Sequence, residues 1–174
     1  MTTLATVEEL GYFLQQSLAE YESEAEQSLA LASAAVRAHC RRTFDYVEDD
    51  EIVLPWRPRI FLPNPPILSV ASVEIDGIEV SYQRDPSGSI YPPDATSDSD
   101  VRIVYTHGFA TLPDEVRLVT LRLASRIFKN PTGRVSFQAD SLNYQGATDI
   151  APRILTGDEA ATLRRWRLHR LGSL

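Results

Sequence analysis

Cysteine and histidine are scarce in this chain of 174 residues, which contains one cysteine and three histidines. The single cysteine, Cys40, excludes a disulfide within the chain, and we interpret it as a small buried apolar side chain. The histidines at positions 39, 107 and 169 have no spacing that is typical of a metal site. The sequence therefore predicts neither a bound metal nor another cofactor.

Catalytic signatures are also missing. The eight glycines form neither a nucleotide-binding loop nor a nucleophile elbow. His107 is the best single candidate for acid–base chemistry, because it follows a predicted strand and borders a loop. We nevertheless interpret it as a structural turn residue that hydrogen-bonds to the backbone. Side chains of Asp49, Asp50 and Glu51 alternate in direction along a strand and cannot converge on a cation, so they indicate a solvated strand edge. The sequence predicts that the chain is not an enzyme.

Long apolar runs are absent as well, since none approaches the ~18 residues that a membrane helix requires. The first residues lack the basic and apolar regions of a secretory signal. We therefore expect no membrane partner and assembly in a cytoplasm.

Charge is plentiful but unevenly distributed, with a net charge of −7 over the whole chain. Residues 44–100 hold 12 acidic and 3 basic residues, whereas residues 153–174 hold 2 acidic and 5 basic residues. An acidic body is a poor binder of DNA phosphates. A basic C-terminus suits pairing with a neighbouring copy or an acidic partner, or it is merely a solvated helix face.

Helix start signals occur at four places. Thr6-x-x-Glu9, Ser23-x-x-Glu26 and Thr156-x-x-Glu159 have the spacing of capping boxes, and Pro113 precedes two acids. The apolar residues that follow recur at intervals of three and four. The predicted helices are 7–19, 23–42, 113–129 and one within 154–174.

Short β-prone runs separated by prolines lie between the second and third helices, at 51–54, 59–62, 69–76, 78–82 and 101–106. Asp76-Gly77 is a two-residue turn that predicts a hairpin. The fold class is therefore α+β: a mainly helical bundle of about four helices with a small antiparallel β-domain inserted at about 44–107. Residues 1–133 form the body, 134–153 an extended loop, and 154–174 an extended C-terminal helical arm.

Large apolar side chains outside these periodic segments are candidates for an interface with another subunit or with a tail-side protein. They are Trp56, Phe137, Leu142 and Tyr144. For Trp56, which lies between two prolines, the alternative is an aromatic lid over the core of the small sheet.

Four stretches together resemble the head-to-tail connector, or adaptor, family of long-tailed bacteriophages and gene transfer agents. An alanine-rich helix closes on Cys40, Arg42 and Phe44, and a proline-rich stretch at 62–73 leads to the Asp76-Gly77 turn. YTHGF at 105–109 precedes Pro113 and the third helix, and LTGDE at 155–159 opens the C-terminal arm. The similarity spans about residues 30–168, and none of its motifs is catalytic.

The resemblance implies a structural role in the neck of a virion. Adaptors of this family assemble as a ring of about twelve copies under the portal protein. Such a ring extends the DNA channel and provides the surface to which a stopper or tail-completion protein attaches. Double-stranded DNA would pass through the lumen without specific binding, because like charge keeps it from the wall.

The C-terminal arm is the expected portal-binding element. From Thr156 onward, an apolar stripe edged by guanidinium groups predicts contacts by Leu163, Arg164, Arg165, Trp166 and Arg167. A helix this short needs a partner surface, and the alternative is that Leu163 and Trp166 pack onto the chain's own helices. If the portal supplies that surface, the chain should fold without the arm.

Two other functional classes remain open. A stopper or tail-completion subunit would share ring assembly, but we expect such proteins to be largely β. A small cytosolic enzyme would use His107 with a nearby carboxylate and would need a concave pocket around that ring.

Overall fold

The computed structural model describes residues 2–96, 98–131 and 155–168. The chain divides into a helical unit, Met1–Arg42 with Leu112–Leu174, and a β unit, Thr43–Thr111. The described residues contain four α-helices and two antiparallel sheets, so the fold class is α+β. None of the described helices is long and apolar enough to cross a membrane. The predicted loop at 134–153, with Phe137, Leu142 and Tyr144, lies outside the described residues.

Over its described residues, the helical unit contains four α-helices and two 3-10 turns. The helices are α1 (Val7–Leu14), α2 (Glu22–Cys40), α3 (Asp114–Lys129) and α4 (Gly157–Leu163). The 3-10 turns are Ala19–Tyr21, before α2, and Arg164–Trp166, after α4. Its core is built from buried side chains of α1, α2 and α3, among them Leu10, Leu29, Leu123 and Ile127. Ala25 and Ala32 are fully buried on α2, and their small size permits close helix packing.

The start of α1 confirms its predicted capping box. The Thr6 hydroxyl accepts a hydrogen bond from the backbone N–H of Glu9, while the Glu9 carboxylate accepts one from the backbone N–H of Thr6. The helix ends five residues before the predicted end, because Gln15 adopts the left-handed conformation (φ 56°). Ser23 does not cap α2, which begins at Glu22 directly after the 3-10 turn.

The β unit contains a four-stranded antiparallel sheet and a small ribbon. The sheet has the order β1 (Val47–Pro55), β6 (Asp100–His107), β2 (Ile67–Ile75), β3 (Ile78–Glu79). The ribbon pairs β4 (Gln83–Arg84) with β5 (Ile90–Tyr91). The strand predicted at 59–62 is wrong in extent, since only Ile60 forms a bridge, to Ile90. The prolines at 58 and 63 that flank it limit ladder formation.

The Asp76-Gly77 hairpin is confirmed. Both residues have positive φ, 50° and 82°, and Ile75 pairs directly with Ile78. Positive φ at both central positions is what a two-residue hairpin turn requires.

Irregular pairing surrounds the end of β6. The register shifts between Val70 and Ser72 on one neighbouring strand and between Val47 and Asp50 on the other. The first shift explains why Ala71 is exposed although Val73 and Ile75 are buried on the predicted face. The second shift brings the carboxylate of Asp50, on β1, to His107, the last residue of β6.

Candidate functional site

The C-terminal segment 155–168 begins with a capping box that the sequence predicted. The Thr156 hydroxyl accepts from the backbone N–H of Glu159, and the Glu159 carboxylate accepts from the backbone N–H of Thr156. These contacts satisfy donors at the start of α4, a helix of only seven residues. Helix α4 continues into the 3-10 turn Arg164–Trp166 and ends where Arg167 becomes extended.

A buried ion pair holds α4 against α3. Arg126 donates from both terminal nitrogens to Glu159, at 2.6 Å and 2.8 Å, and the Glu159 side chain is only 3% exposed. Burial opposes ionisation of this carboxyl, but the hydrogen bonds from Arg126 and Thr156 prevail and lower the pKa of Glu159. The two-point guanidinium contact fixes the orientation of α4 as well as its position.

Apolar and backbone contacts complete the attachment. Leu163 is fully buried, the backbone N–H of Leu168 donates to the carbonyl oxygen of Cys40 at 2.9 Å, and Arg42 Nη1 donates to the carbonyl oxygen of Trp166 at 3.3 Å. Residues 155–168 therefore pack on the chain's own helices. The expectation of an extended arm is wrong for this segment, because its own body supplies the surface that a short helix needs.

The five predicted portal-binding residues fall into two groups. Leu163 is enclosed by the helical unit and cannot serve as a free anchor. Trp166 is half-buried, whereas Arg164, Arg165 and Arg167 are exposed. The Arg165 guanidinium lies 4.8 Å from the centre of the Trp166 ring and forms an ion pair with Glu115 at the start of α3.

The thiol of Cys40 lies beneath this arginine-rich end. Burial raises the pKa of Cys40 to about 11, although the nearby Arg42 and Arg167 charges oppose the rise. The sequence interpretation of Cys40 as a buried apolar group is confirmed.

His107 has a different partner from the one expected. It is the last residue of β6, its side chain is 3% exposed, and its Nε2 lies 3.0 Å from Asp50 Oδ2. Its ring stacks on Tyr105 with 5.0 Å between centroids, and burial with the nearby Asp50 charge raises the pKa of Tyr105 to about 12. The prediction of a turn residue bonded to the backbone is wrong in both respects. A carboxylate is present, as the enzyme alternative requires, but the buried ring offers a substrate almost no surface.

The three consecutive acids of β1 do not converge. Asp50 faces His107, Glu51 binds Arg102 Nη1 at 2.7 Å on the exposed face, and Asp49 has positive φ (48°). No group of three or more metal-ligating side chains occurs among the described residues.

Trp56 is half-buried against the core of the β unit. Its indole N–H donates to the carbonyl oxygen of Pro93 at 3.0 Å. This position agrees with the alternative of an aromatic lid, and a role of Trp56 at an interface stays a prediction.

Sequence reasoning missed several contributors to these sites. Arg42 contacts Trp166, which is far from it in the chain, and Arg59 stacks on Phe61 at 4.5 Å within the run 59–62 that the sequence predicts to be a strand. The one available signal was the excess of arginine over lysine, because arginine is favoured in planar stacking and two-point pairing.

Comparison with solved structures relates this fold to that of a particle neck. Over 98% of this chain and 92% of the other, it matches a chain in the structure of the neck of an empty gene transfer agent particle computed with C6 symmetry, with a TM-score of 0.58 and 18% identity. The chain shares the fold of that neck component. A chain in the virion of a native gene transfer agent particle matches over the same shares, with a TM-score of 0.60 and 20% identity. No protein-family model and no curated protein matches the chain.

Proposed function

We propose that the chain is a structural subunit of the neck of a tailed phage or phage-like particle, and specifically the head-to-tail adaptor. In this role it forms a ring under the portal, extends the DNA channel and provides the attachment surface for a stopper or tail-completion protein. The observation that carries the proposal is the similarity of fold to a neck component along 98% of the chain. The four helices favour the adaptor over the largely β subunits expected as stoppers.

Ring assembly is the second part of the proposal. The structure of the similar gene transfer agent neck was computed with sixfold symmetry. The adaptor resemblance implies a ring of about twelve copies, and such a ring is compatible with a sixfold axis. The acidic β unit, with 12 acidic and 4 basic residues, would suit a channel that DNA must leave freely.

Portal docking is the third part, and we assign it to the exposed end of the C-terminal segment. Leu163 serves the helical unit itself, so the portal would meet Arg164, Arg165, Arg167 and the accessible part of Trp166. The docking element is then a fixed part of the body.

Sedimentation of the purified full chain, alone and with purified portal, tests this function. The acidic body repels its copies, so we expect the chain to be monomeric or weakly associating alone and to form rings only on portal. A stable ring at micromolar concentration without portal would contradict templated assembly. Absence of any complex with portal would contradict the adaptor role.

A further inference from the structure

Two distant parts of the sequence meet at one end of the helical unit. Arg42 donates to the carbonyl oxygen of Trp166, 124 positions further along the chain, and the backbone N–H of Leu168 donates to the carbonyl oxygen of Cys40. These contacts bring the end of α2 beside the 3-10 turn that follows α4. We call the resulting set the arginine cluster: Arg41, Arg42, Arg164, Arg165 and Arg167.

Most side chains of the arginine cluster are exposed to solvent. Arg41, Arg164, Arg165 and Arg167 are exposed, and Arg42 is half-buried. Within the part of the chain that the structure describes, Arg41, Arg164 and Arg167 form no ion pair. Arg41 also occupies the C-terminal cap of α2, where the helix dipole favours cations and so stabilises positive charge.

One member of the cluster already shows which anion it accepts. Arg165 binds the Glu115 carboxylate while its guanidinium stacks on the Trp166 ring. Carboxylates and guanidinium groups form directed, two-point hydrogen bonds, and arginine and aromatic residues are both enriched at protein interfaces. A net charge of −7, with the excess of acids in the β unit, opposes attraction to a DNA backbone.

The surface is also preformed. The buried Glu159–Arg126 pair and the buried Leu163 side chain fix α4, and the 3-10 turn continues directly from it. A partner therefore meets arginines carried on a backbone that is already folded, so no free arm has to fold on binding, which lowers the entropic cost.

From these contacts we infer that the arginine cluster is a single docking surface for an acidic protein face, to which Arg41 and Arg42 contribute as well as the C-terminal segment. This inference rests on the proposed function, in which the acidic face belongs to the portal.

Affinity of the full chain for purified portal, measured at low and physiological ionic strength, tests the inference. Arg41→Glu changes an exposed residue far in sequence from the C-terminal segment, and we expect it to weaken portal binding about tenfold or more. Lys129→Glu is the matched control: it makes the same charge change at the opposite end of α3, ~20 Å from Glu115 at the helical rise per residue. It should change affinity less than threefold, a margin of about 0.7 kcal/mol.

The outcomes separate the inference from the proposed function. If the wild-type chain does not bind portal, the proposed function is wrong. If the wild-type chain binds and Arg41→Glu binds equally well, the inference that the arginine cluster is a docking surface is wrong. If Arg41→Glu abolishes binding to a short DNA duplex but not to portal, the partner is nucleic acid and the inference is wrong. If it blocks only the joining of further copies on portal, the partner is a second copy, which also overturns it. If thermal melting shows that Arg41→Glu folds poorly, Arg164→Glu and Arg167→Glu replace it. We expect each of them to weaken portal binding about tenfold or more.

Discussion

The buried ring of His107 pairs with the carboxylate of Asp50, which lies 57 positions earlier in the chain. Replacing His107 by alanine removes a buried ring from the sheet and leaves Asp50 without this partner, which should cost about 1 to 3 kcal/mol of stability. Because the ring is inaccessible, we expect particle titre to fall only as far as the melting temperature of the protein falls.

An isosteric variant of the partner controls for lost packing. Asp50→Asn keeps the shape of the side chain and the ring in place, so it should cost less than His107→Ala. If His107→Ala lowers the particle titre while its melting temperature and particle assembly stay normal, that result would support the enzyme alternative.

Some of this residue-scale arrangement could be predicted from sequence. Val101, Ile103 and Tyr105 alternate along β6, and His107 continues the same alternation, so its burial was readable from the pattern. Its partner was not readable, because Asp50 reaches it only through strand pairing across a register shift. A register shift changes which side chains meet, and local sequence does not specify it here.

At the scale of elements, α4 is the segment in which the structure differs most from the sequence prediction. The capping box was predicted correctly because it needs only local spacing, and the helix begins where it was predicted but ends at Leu163, before the arginines that it was expected to include. Its packing partner was not predicted, since Leu163 and the arginines suit a foreign surface as well as the chain's own helices. The decisive contact, Glu159 with Arg126, joins residues 33 positions apart, and no motif marks it.

The same contact predicts a pH dependence of stability. The pKa of Glu159 is lowered in the folded chain, so its stabilising contribution is complete above its ordinary pKa and is lost as pH falls through the lower folded value. Glu159→Gln should therefore be less stable than wild type by about 2 to 4 kcal/mol at neutral pH, and the difference should shrink in acid. Urea unfolding between about pH 7 and pH 3 measures this difference.

Asp158→Asn is the matched control for that experiment, because it removes an exposed charge from the same helical turn. It should cost no more than about 0.5 to 1 kcal/mol. Equal stability of Glu159→Gln and wild type at neutral pH would show that α4 is not held by this pair. Because of this pair we expect the chain to be less stable without residues 154–174, since their removal would take the Glu159 carboxylate away from Arg126.

Turns and strands show where local sequence suffices. Asp76-Gly77 predicts its hairpin because the turn requires positive φ at both positions, and glycine with aspartate meets that requirement. The run at 59–62 has strand propensity, yet it forms only the Ile60 bridge, because pairing depends on neighbours that are distant in sequence.

Charge is the property that organises the whole molecule. The β unit carries 12 acidic and 4 basic residues, whereas the arginine cluster lies on the helical unit. The sequence predicted this separation, because composition can be counted by segment without a fold. It could not predict that Arg41 and Arg42 join the C-terminal arginines, since that requires α2 and α4 to end side by side.

Electron cryomicroscopy of the native particle tests the central claim, a ring-forming neck subunit, most directly. The account predicts a closed ring directly below the portal, with density in each subunit for three longer α-helices, the short α4 packed against them, and a four-stranded sheet. Density for this chain elsewhere in the particle, or its absence from purified particles that are complete and functional, would contradict the account.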